Sequence, residues 1–144
     1  MAVTEAPELP QVTLFSLGGT IGSTHGEDDG SIDCGVAPRL DAEELLASVP
    51  QLRGIADVEA VAFRRAPSGD LTWSDVIALV AEIRERFAAG AAGVVVTQGI
   101  DTVEESAFAL DLLVRDERPV VMTGAMRNPT LAGPDGPGNL LVLR

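Results

Sequence analysis

Two polar side chains that could do chemistry follow two apolar segments of the sequence. The hydroxyl of Thr20 comes after residues 11–17 (QVTLFSL) and two glycines, and the carboxylate of Asp101 comes shortly after the valine run 94–96. Both apolar segments are typical of strands in a covered sheet. Because ligands of open α/β sheets bind at the carboxyl ends of the strands, we expect these turns to form one composite site. The hydroxyl would be its potential nucleophile.

Each of these residues also has a simpler interpretation. Threonine and serine are common in turns, so Thr20, and Ser68 in the PSGD turn 67–70, are compatible with purely structural roles. Asp101 is compatible with an anion at the start of a helix. Thr102 followed three residues later by Glu105 predicts a capping box, so we expect a helix to begin there.

Strands and helices alternate along the chain. Strands are predicted over 11–17, 58–63, 93–97 and 119–123, and helices over 42–49, 73–89, 103–114 and from 139 onward. This order predicts an α/β fold with an open, mostly parallel sheet and helices on both faces, a three-layer Rossmann-like architecture. We expect a loose leader over 1–10, one domain over 11–144, and a lid in the long loop 23–39. Residues assigned to packing are Trp73, Phe108, Leu110, Leu112 and Leu113.

Composition excludes several classes of function. The chain has 144 residues, a net charge of −12 and no lysine, so a lysine-dependent phosphate loop is excluded and nucleic acid or an anionic membrane is not an expected partner. One cysteine, Cys34, and one histidine, His25, exclude a disulfide framework and an internal zinc cluster, and we interpret both as incidental loop residues. No cofactor or metal is expected. Residues 1–10 have neither a basic start nor an apolar run, which predicts a cytoplasmic protein.

Four blocks of sequence, in order, resemble the bacterial-type L-asparaginase/glutaminase family. Leu17–Ile21 (LGGTI) is similar to the first family signature, and Thr97–Thr102 (TQGIDT), with two glutamates close behind, is similar to the second. Gly124–Arg127 and Asp135–Leu140 match two further blocks. The resemblance covers about residues 11–143, and it implies the N-terminal α/β domain of an asparaginase-like fold.

The resemblance also implies roles for individual residues. Thr20 corresponds to the nucleophile that attacks the side-chain amide, and Gly19 lies beside the developing oxyanion. Asp101, the second residue assigned to catalysis, corresponds to the aspartate that holds the α-ammonium group of the substrate. Ser68 is similar to the serine that binds the α-carboxylate. Two more residues are assigned to the substrate pocket, Gln98 and Ala125.

The chain departs from the family pattern at several positions. Ile100 stands where the family has its second active-site threonine, and Gln98 replaces the usual histidine. The lid tyrosine of the family has no counterpart, since the chain contains no tyrosine. The catalytic lysine and a later glutamate of the family would lie beyond residue 144. Losing one member of a cooperating catalytic set commonly costs on the order of 10³-fold in rate, so we expect this chain to be impaired.

Two functions follow from these observations. The first is an asparaginase-like amidohydrolase that converts asparagine to aspartate and ammonia through the threonine nucleophile, with an amino-acid amide as substrate. The second is a non-catalytic homologue that binds an amino acid or assembles with partner subunits. A nucleotide-binding module is a weak third alternative, because no phosphate-loop signature is present. The family resemblance implies a homodimer or homotetramer.

Overall fold

A computed structural model describes residues 8–25 and 36–141, which form an α/β fold around one parallel sheet. The strands of this sheet are β1 (Gln11–Gly18), β4 (Asp57–Ala66), β5 (Gly93–Thr97) and β6 (Val120–Thr123), in the spatial order β4-β1-β5-β6. Every neighbouring pair is parallel. β1 therefore lies between β4 and β5, and the carboxyl ends of all four strands meet at one edge.

Helices cover both faces of the sheet. α1 (Ala42–Ala47) and α4 (Gly136–Leu140) pack on one face, and α2 (Trp73–Ala88) and α3 (Val103–Val114) pack on the other. Consecutive residues of β1 supply the two cores, because side chains alternate across a strand. Leu14 packs toward α1 and Phe15 toward α2 and α3, and both are fully buried. The predicted three-layer α/β architecture is confirmed.

The starts of α1 and α2 follow directly from local sequence. Asp41 and Glu44 form a capping box at α1, and Thr72 and Asp75 form another at α2, in which each side chain bonds the other residue's N–H group. Such boxes satisfy N–H groups that the first turn of a helix leaves without a partner. At the other end of α2, Gly90 adopts a φ of 106°, which favours glycine.

The loop predicted over 23–39 contains a short antiparallel pair, in which β2 (Ser23–His25) bonds to β3 (Val36–Pro38). Residues 26–35 of that predicted lid, which include Cys34, lie outside the described residues, as does most of the predicted leader. Residues 8–10 of that leader are exposed. No helix in the described part of the chain is long and apolar enough to cross a membrane.

The assignment of the apolar residues of α3 to the core was wrong for three of the four. Leu110 is buried, but Phe108 is 66% exposed, and Leu112 and Leu113 are also exposed. Only one stripe of a helix can face the sheet, and in α3 that stripe contains Ala109, Leu110 and Val114. Trp73, expected to pack, is likewise exposed at the start of α2.

Candidate functional site

Three adjacent strands end in the same way at the carboxyl edge of the sheet. β1 is followed by the 3-10 turn Thr20–Gly22, β4 by the turn Ser68–Asp70 and β5 by the turn Ile100–Thr102. The turns meet around a cleft of about 180 Å³. Its lining residues are Gly19, Thr20, Ser23, Pro67, Ser68, Gly99, Ile100 and Asp101.

Four of the residues that the sequence assigned to a site line this cleft. They are Gly19, Thr20, Ser68 and Asp101. A larger cavity, of about 260 Å³, lies at the opposite edge, where β1 and β4 begin, and Thr20 and Asp101 do not line it. We assign the site by its chemistry rather than by its volume, because a hydroxyl and a carboxylate converge at the edge where open α/β sheets bind ligands.

Gly19 allows the turns after β1 and β5 to approach closely. It has a φ of 78° and a ψ of −172°, a region that residues with side chains avoid. A Cβ atom on Gly19 would lie 2.2 Å from the backbone nitrogen of Gly99. The carbonyl of Gly19 also accepts hydrogen bonds from the N–H of Gly22, at 3.2 Å, and the hydroxyl of Ser23, at 2.8 Å. Because Gly19 has no side chain, the turns after β1 and β5 can approach closely enough to close the cleft on this side.

The oxyanion role that the resemblance implied for Gly19 does not fit its own N–H group. This N–H donates to the carbonyl of Ala66 at 3.1 Å, which ties the end of β1 to the end of β4. A donor for an oxyanion must therefore be another group.

Ser68 and Asp101 form a polar pair between the turns after β4 and β5. The hydroxyl of Ser68 donates to Oδ2 of Asp101 at 3.3 Å. Ser68 is only 2% exposed, whereas Asp101 is exposed at the mouth of the cleft. A side chain at Gly99 would overlap Ser68, since its Cβ would lie 2.7 Å from the Ser68 hydroxyl oxygen. The pair offers a hydroxyl and a carboxylate to a ligand with charges of both signs.

Thr102 does not cap α3, contrary to the capping box predicted from the sequence. Its side chain makes no capping hydrogen bond; it donates to the carbonyl of Ser68 at 3.1 Å and accepts from Nε2 of Gln98 at 3.1 Å. The reason is that a 3-10 turn precedes the helix and gives Thr102 a φ of −130° and a ψ of 21°, so its hydroxyl turns toward the β4 side. The helix itself begins at Val103, as predicted.

Gln98 does not line the cleft, and this argues against its assignment as a substrate-binding residue. The residue is 1% exposed, and its N–H donates to the carbonyl of Thr123 at 3.0 Å, on β6. Its side-chain nitrogen bonds Thr102, and its Oε1 has no hydrogen-bond partner among the described residues. Gln98 therefore supports the turn after β5 from behind.

Ala125 is also placed away from the cleft. It is buried in the core on the α1 and α4 face, with Ile21 and Leu140. The blocks around it connect to each other instead: Asn139 donates to the carbonyl of Gly124 at 2.8 Å. The carboxylate of Asp135 accepts from the N–H groups of residues 127 and 126, at 2.9 and 3.0 Å, and these bonds lower its pKa. The third and fourth blocks thus shape the loop after β6.

Ile100 lines the cleft and lies close to Gly124, which follows β6. It is 36% exposed, and a Cβ atom on Gly124 would lie 2.9 Å from its Cγ2 atom. Its side chain has neither a donor nor an acceptor, so it adds an apolar surface beside Thr20 and Asp101.

Sequence reasoning missed three residues that line the cleft, which are Ser23, Pro67 and Gly99. Gly99 carried a signal, because a glycine between a strand and a helix often marks close backbone approach. Ser23 carried none, since its contact with Gly19 depends on the turn between them. Among the described residues, no cluster of His, Cys, Asp and Glu side chains is arranged to hold a metal ion.

Comparison with known proteins identifies the family. The family model described as "Asparaginase, N-terminal" matches residues 11–142. The chain belongs to the asparaginase family.

Similar asparaginases are known from fungi and bacteria. The chain is 37% identical over 134 residues to "Probable L-asparaginase 4" of Schizosaccharomyces pombe, covering 92% of this chain and 37% of that protein. It is 34% identical over 141 residues to "Probable L-asparaginase periplasmic" of Haemophilus influenzae, covering 97% of this chain and 39% of that protein. The chain thus spans less than two fifths of the length of these relatives.

A solved asparaginase has the same fold. It is described as a probable cytoplasmic L-asparaginase from Campylobacter jejuni, is 32% identical and superposes with a TM-score of 0.80. The superposition covers 94% of this chain and 40% of that chain. The fold is therefore that of an asparaginase over nearly the whole of this sequence.

Proposed function

We propose that the protein is an asparaginase-like amidohydrolase whose cleft binds the amino-acid part of an asparagine-like substrate. The observation that carries the proposal is that Thr20, Ser68 and Asp101 line one cleft, although they are far apart in sequence. In this proposal Asp101 holds the α-ammonium group of the substrate, and the hydroxyl of Ser68 turns its one proton from Asp101 to the substrate's α-carboxylate when the ligand binds. Thr20 faces the side-chain amide.

The proposed reaction is acyl transfer through a threonine ester. The hydroxyl oxygen of Thr20 attacks the amide carbonyl, its proton passes to the leaving nitrogen, and ammonia departs. Water then hydrolyses the ester to release aspartate. Asp101 is the one ionisable side chain lining the described part of the cleft, and it is engaged with Ser68. The described lining therefore gives Thr20 no second ionisable group to accept its proton.

We expect Ile100 to slow the hydrolysis of the substrate amide. A catalytic hydroxyl at this position would be close to both Thr20 and the substrate amide, and an isoleucine cannot replace its hydrogen bonds. This observation also supports a second candidate function, in which the protein binds an amino acid without hydrolysing it.

Ammonia release from L-asparagine tests the catalytic proposal. We expect little release by the unaltered protein. In a full-length context that supplies the catalytic lysine of the family, we expect a rise of roughly 10²–10³-fold in Ile100→Thr, because the change restores a hydroxyl to a cooperating set. Adding Thr20→Ala to that variant should remove the gain, whereas Thr20→Ser should keep part of it. If Ile100→Thr leaves ammonia release unchanged, the proposed catalytic arrangement is wrong.

Calorimetry with L-aspartate tests the binding half of the proposal separately. Asp101→Asn should weaken binding strongly, because the amide cannot neutralise an ammonium group. Asp111→Asn is a matched control on the exposed surface of α3 and should bind as the unaltered protein does. Binding that survives Asp101→Asn would place the ligand elsewhere and refute the assigned cleft.

We propose that residues 11–144 form an asparaginase N-terminal domain after a loose leader over 1–10, which limited proteolysis would test.

We propose assembly into a homodimer or homotetramer, supported by the exposed apolar side chains of α3. Light scattering would measure the assembly state. We also propose a cytoplasmic location, supported by one similar structure, although a bacterial relative is described as periplasmic. Cell fractionation would decide between the two.

A further inference from the structure

Ser68 is held at two points by consecutive residues of the turn after β5. Its hydroxyl donates to Asp101 at 3.3 Å, and its carbonyl accepts from the hydroxyl of Thr102 at 3.1 Å. Thr102 itself does not line the cleft. Any effect of Thr102 on a ligand in the cleft must therefore act through Ser68 and the turn that carries Ser68.

These bonds join two strands that are not neighbours. The sheet order places β1 between β4 and β5, so no backbone ladder connects the end of β4 to the end of β5. The backbone bond from Gly19 to Ala66 fixes β1 against β4. The side-chain bonds of Asp101 and Thr102 instead join the turn after β5 to Ser68. Gly99, packed against both Gly19 and Ser68, leaves room for them.

The Ser68 carbonyl sets the direction of the Thr102 hydroxyl proton, and this in turn fixes the orientation of the Gln98 side-chain amide. A hydroxyl has one proton, and that of Thr102 is donated to Ser68. Thr102 must therefore accept its second bond, which assigns the nitrogen of the Gln98 amide to the Thr102 side. Gln98 is buried and anchored by its N–H to Thr123 of β6. A series of hydrogen bonds thus runs from β6 through Gln98 and Thr102 to Ser68.

We propose that Thr102 is the positioning residue of the cleft. By holding the Ser68 carbonyl, it keeps the Ser68 hydroxyl and the Asp101 carboxylate together on the side of the cleft that receives the charged end of an amino acid. The inference rests on the proposed function for the identity of the ligand, but the hydrogen-bond link can be measured without any ligand.

The first experiment measures L-aspartate binding by calorimetry. Thr102→Val keeps the shape of the side chain and removes its hydroxyl, and we expect about tenfold weaker binding. Thr102→Ser restores the hydroxyl and should bind nearly as the unaltered protein does. Ser48→Ala is the matched control, since it also removes a hydroxyl that donates to a backbone carbonyl. Ser48 follows α1, on the face of the sheet opposite α3, and its hydroxyl donates to the carbonyl of Leu45 at 2.6 Å. This change should leave binding unchanged.

A second comparison separates positioning from general destabilisation. If Thr102 acts through Ser68, then Thr102→Val should cause no further loss of binding in a Ser68→Ala background. An equal loss in both backgrounds would overturn the proposal, as would unchanged binding by Thr102→Val alone.

Amide hydrogen exchange tests the link in the protein without ligand. The Ser68 carbonyl also accepts from the N–H of Leu71 at 3.2 Å, so loosening the turn should speed exchange at Leu71. We expect faster exchange in Thr102→Val and not in Thr102→Ser. Failure of the unaltered protein to bind L-aspartate would refute the proposed function alone. Unchanged exchange at Leu71 in Thr102→Val would refute the positioning role.

Discussion

Replacing Gly19 by alanine should be among the most damaging single-methyl changes in this protein. The added Cβ would lie 2.2 Å from the nitrogen of Gly99, 2.4 Å from its Cα and 2.9 Å from the carbonyl carbon of Gln98. All three atoms belong to the backbone at the end of β5, so no flexible side chain can move aside. The turns after β1 and β5 would have to separate.

The cost has two parts that the structure lets us estimate. The backbone conformation at Gly19, with φ 78° and ψ −172°, is strained for alanine by about 1–3 kcal/mol. Overpacking against a rigid neighbour adds about 1–3 kcal/mol. We therefore expect the free energy of unfolding to fall by about 2–6 kcal/mol, a large share of the roughly 5–15 kcal/mol of a typical domain. The corresponding loss of melting temperature is roughly 5–20 °C.

Two other glycines separate the two parts of this cost. Gly90 has a φ of 106° but open space where a Cβ would lie, so Gly90→Ala should show the backbone strain alone. Gly54 has open space and no positive φ, so Gly54→Ala should change stability little or raise it by about 0.4–1 kcal/mol. Urea unfolding followed by circular dichroism measures all three variants on one scale.

The order of the three variants decides whether the reasoning holds. Gly19→Ala should be the least stable, Gly90→Ala intermediate, and Gly54→Ala closest to the unaltered protein. If Gly19→Ala is no less stable than Gly90→Ala, the turns after β1 and β5 do not approach as closely as described, and the cleft between them is wrong.

Two further predictions concern stability away from the cleft. Hydrogen bonds from the N–H and hydroxyl of Thr72 lower the pKa of Asp75 from 3.8 to about 2, so its stabilising effect is present above the higher value and is lost as the pH falls through the lower one. Asp75→Asn should flatten the dependence of the melting temperature on pH in that range; an unchanged slope would contradict this. The guanidinium of Arg118 lies 4.1 Å above the ring of Phe87 and donates to its carbonyl at 2.7 Å. Arg118→Lys should therefore lower the urea midpoint of unfolding, whereas Arg115→Lys, an exposed control, should change it little, and equal changes would contradict a stabilising role for this contact.

Much of the fold could be predicted because its signals are local. The valines at 94–96 and the capping pair Thr72 and Asp75 depend on residues close in sequence, and the corresponding strand and helix are where they were predicted. The pairing of a hydroxyl turn with a carboxylate turn followed from the rule that parallel strands end at one edge. Thr20 and Asp101 accordingly line the same cleft.

The errors arose where a residue's surroundings come from distant parts of the chain. Thr102 had the sequence of a helix cap, but Ser68, from another turn, takes its hydroxyl bond instead. Phe108 and Leu112 are as apolar as core residues, but the sheet contacts another stripe of α3. The substrate-binding roles expected for Ala125 and Gln98 stay predictions, and the structure buries both residues.

The sequence by itself determined the family, the alternation of strands and helices, and which turns carry a hydroxyl and a carboxylate, because these properties depend on residue types at short spacing. Only the tertiary structure decided which side chains face the cleft and which support it. The order β4-β1-β5-β6 brings three turns together across strands that are not consecutive in the chain. The contacts of Gly19 with Gly99 and of Thr102 with Ser68 exist only after that arrangement forms, since each joins residues whose spacing in the sequence carries no periodic signal.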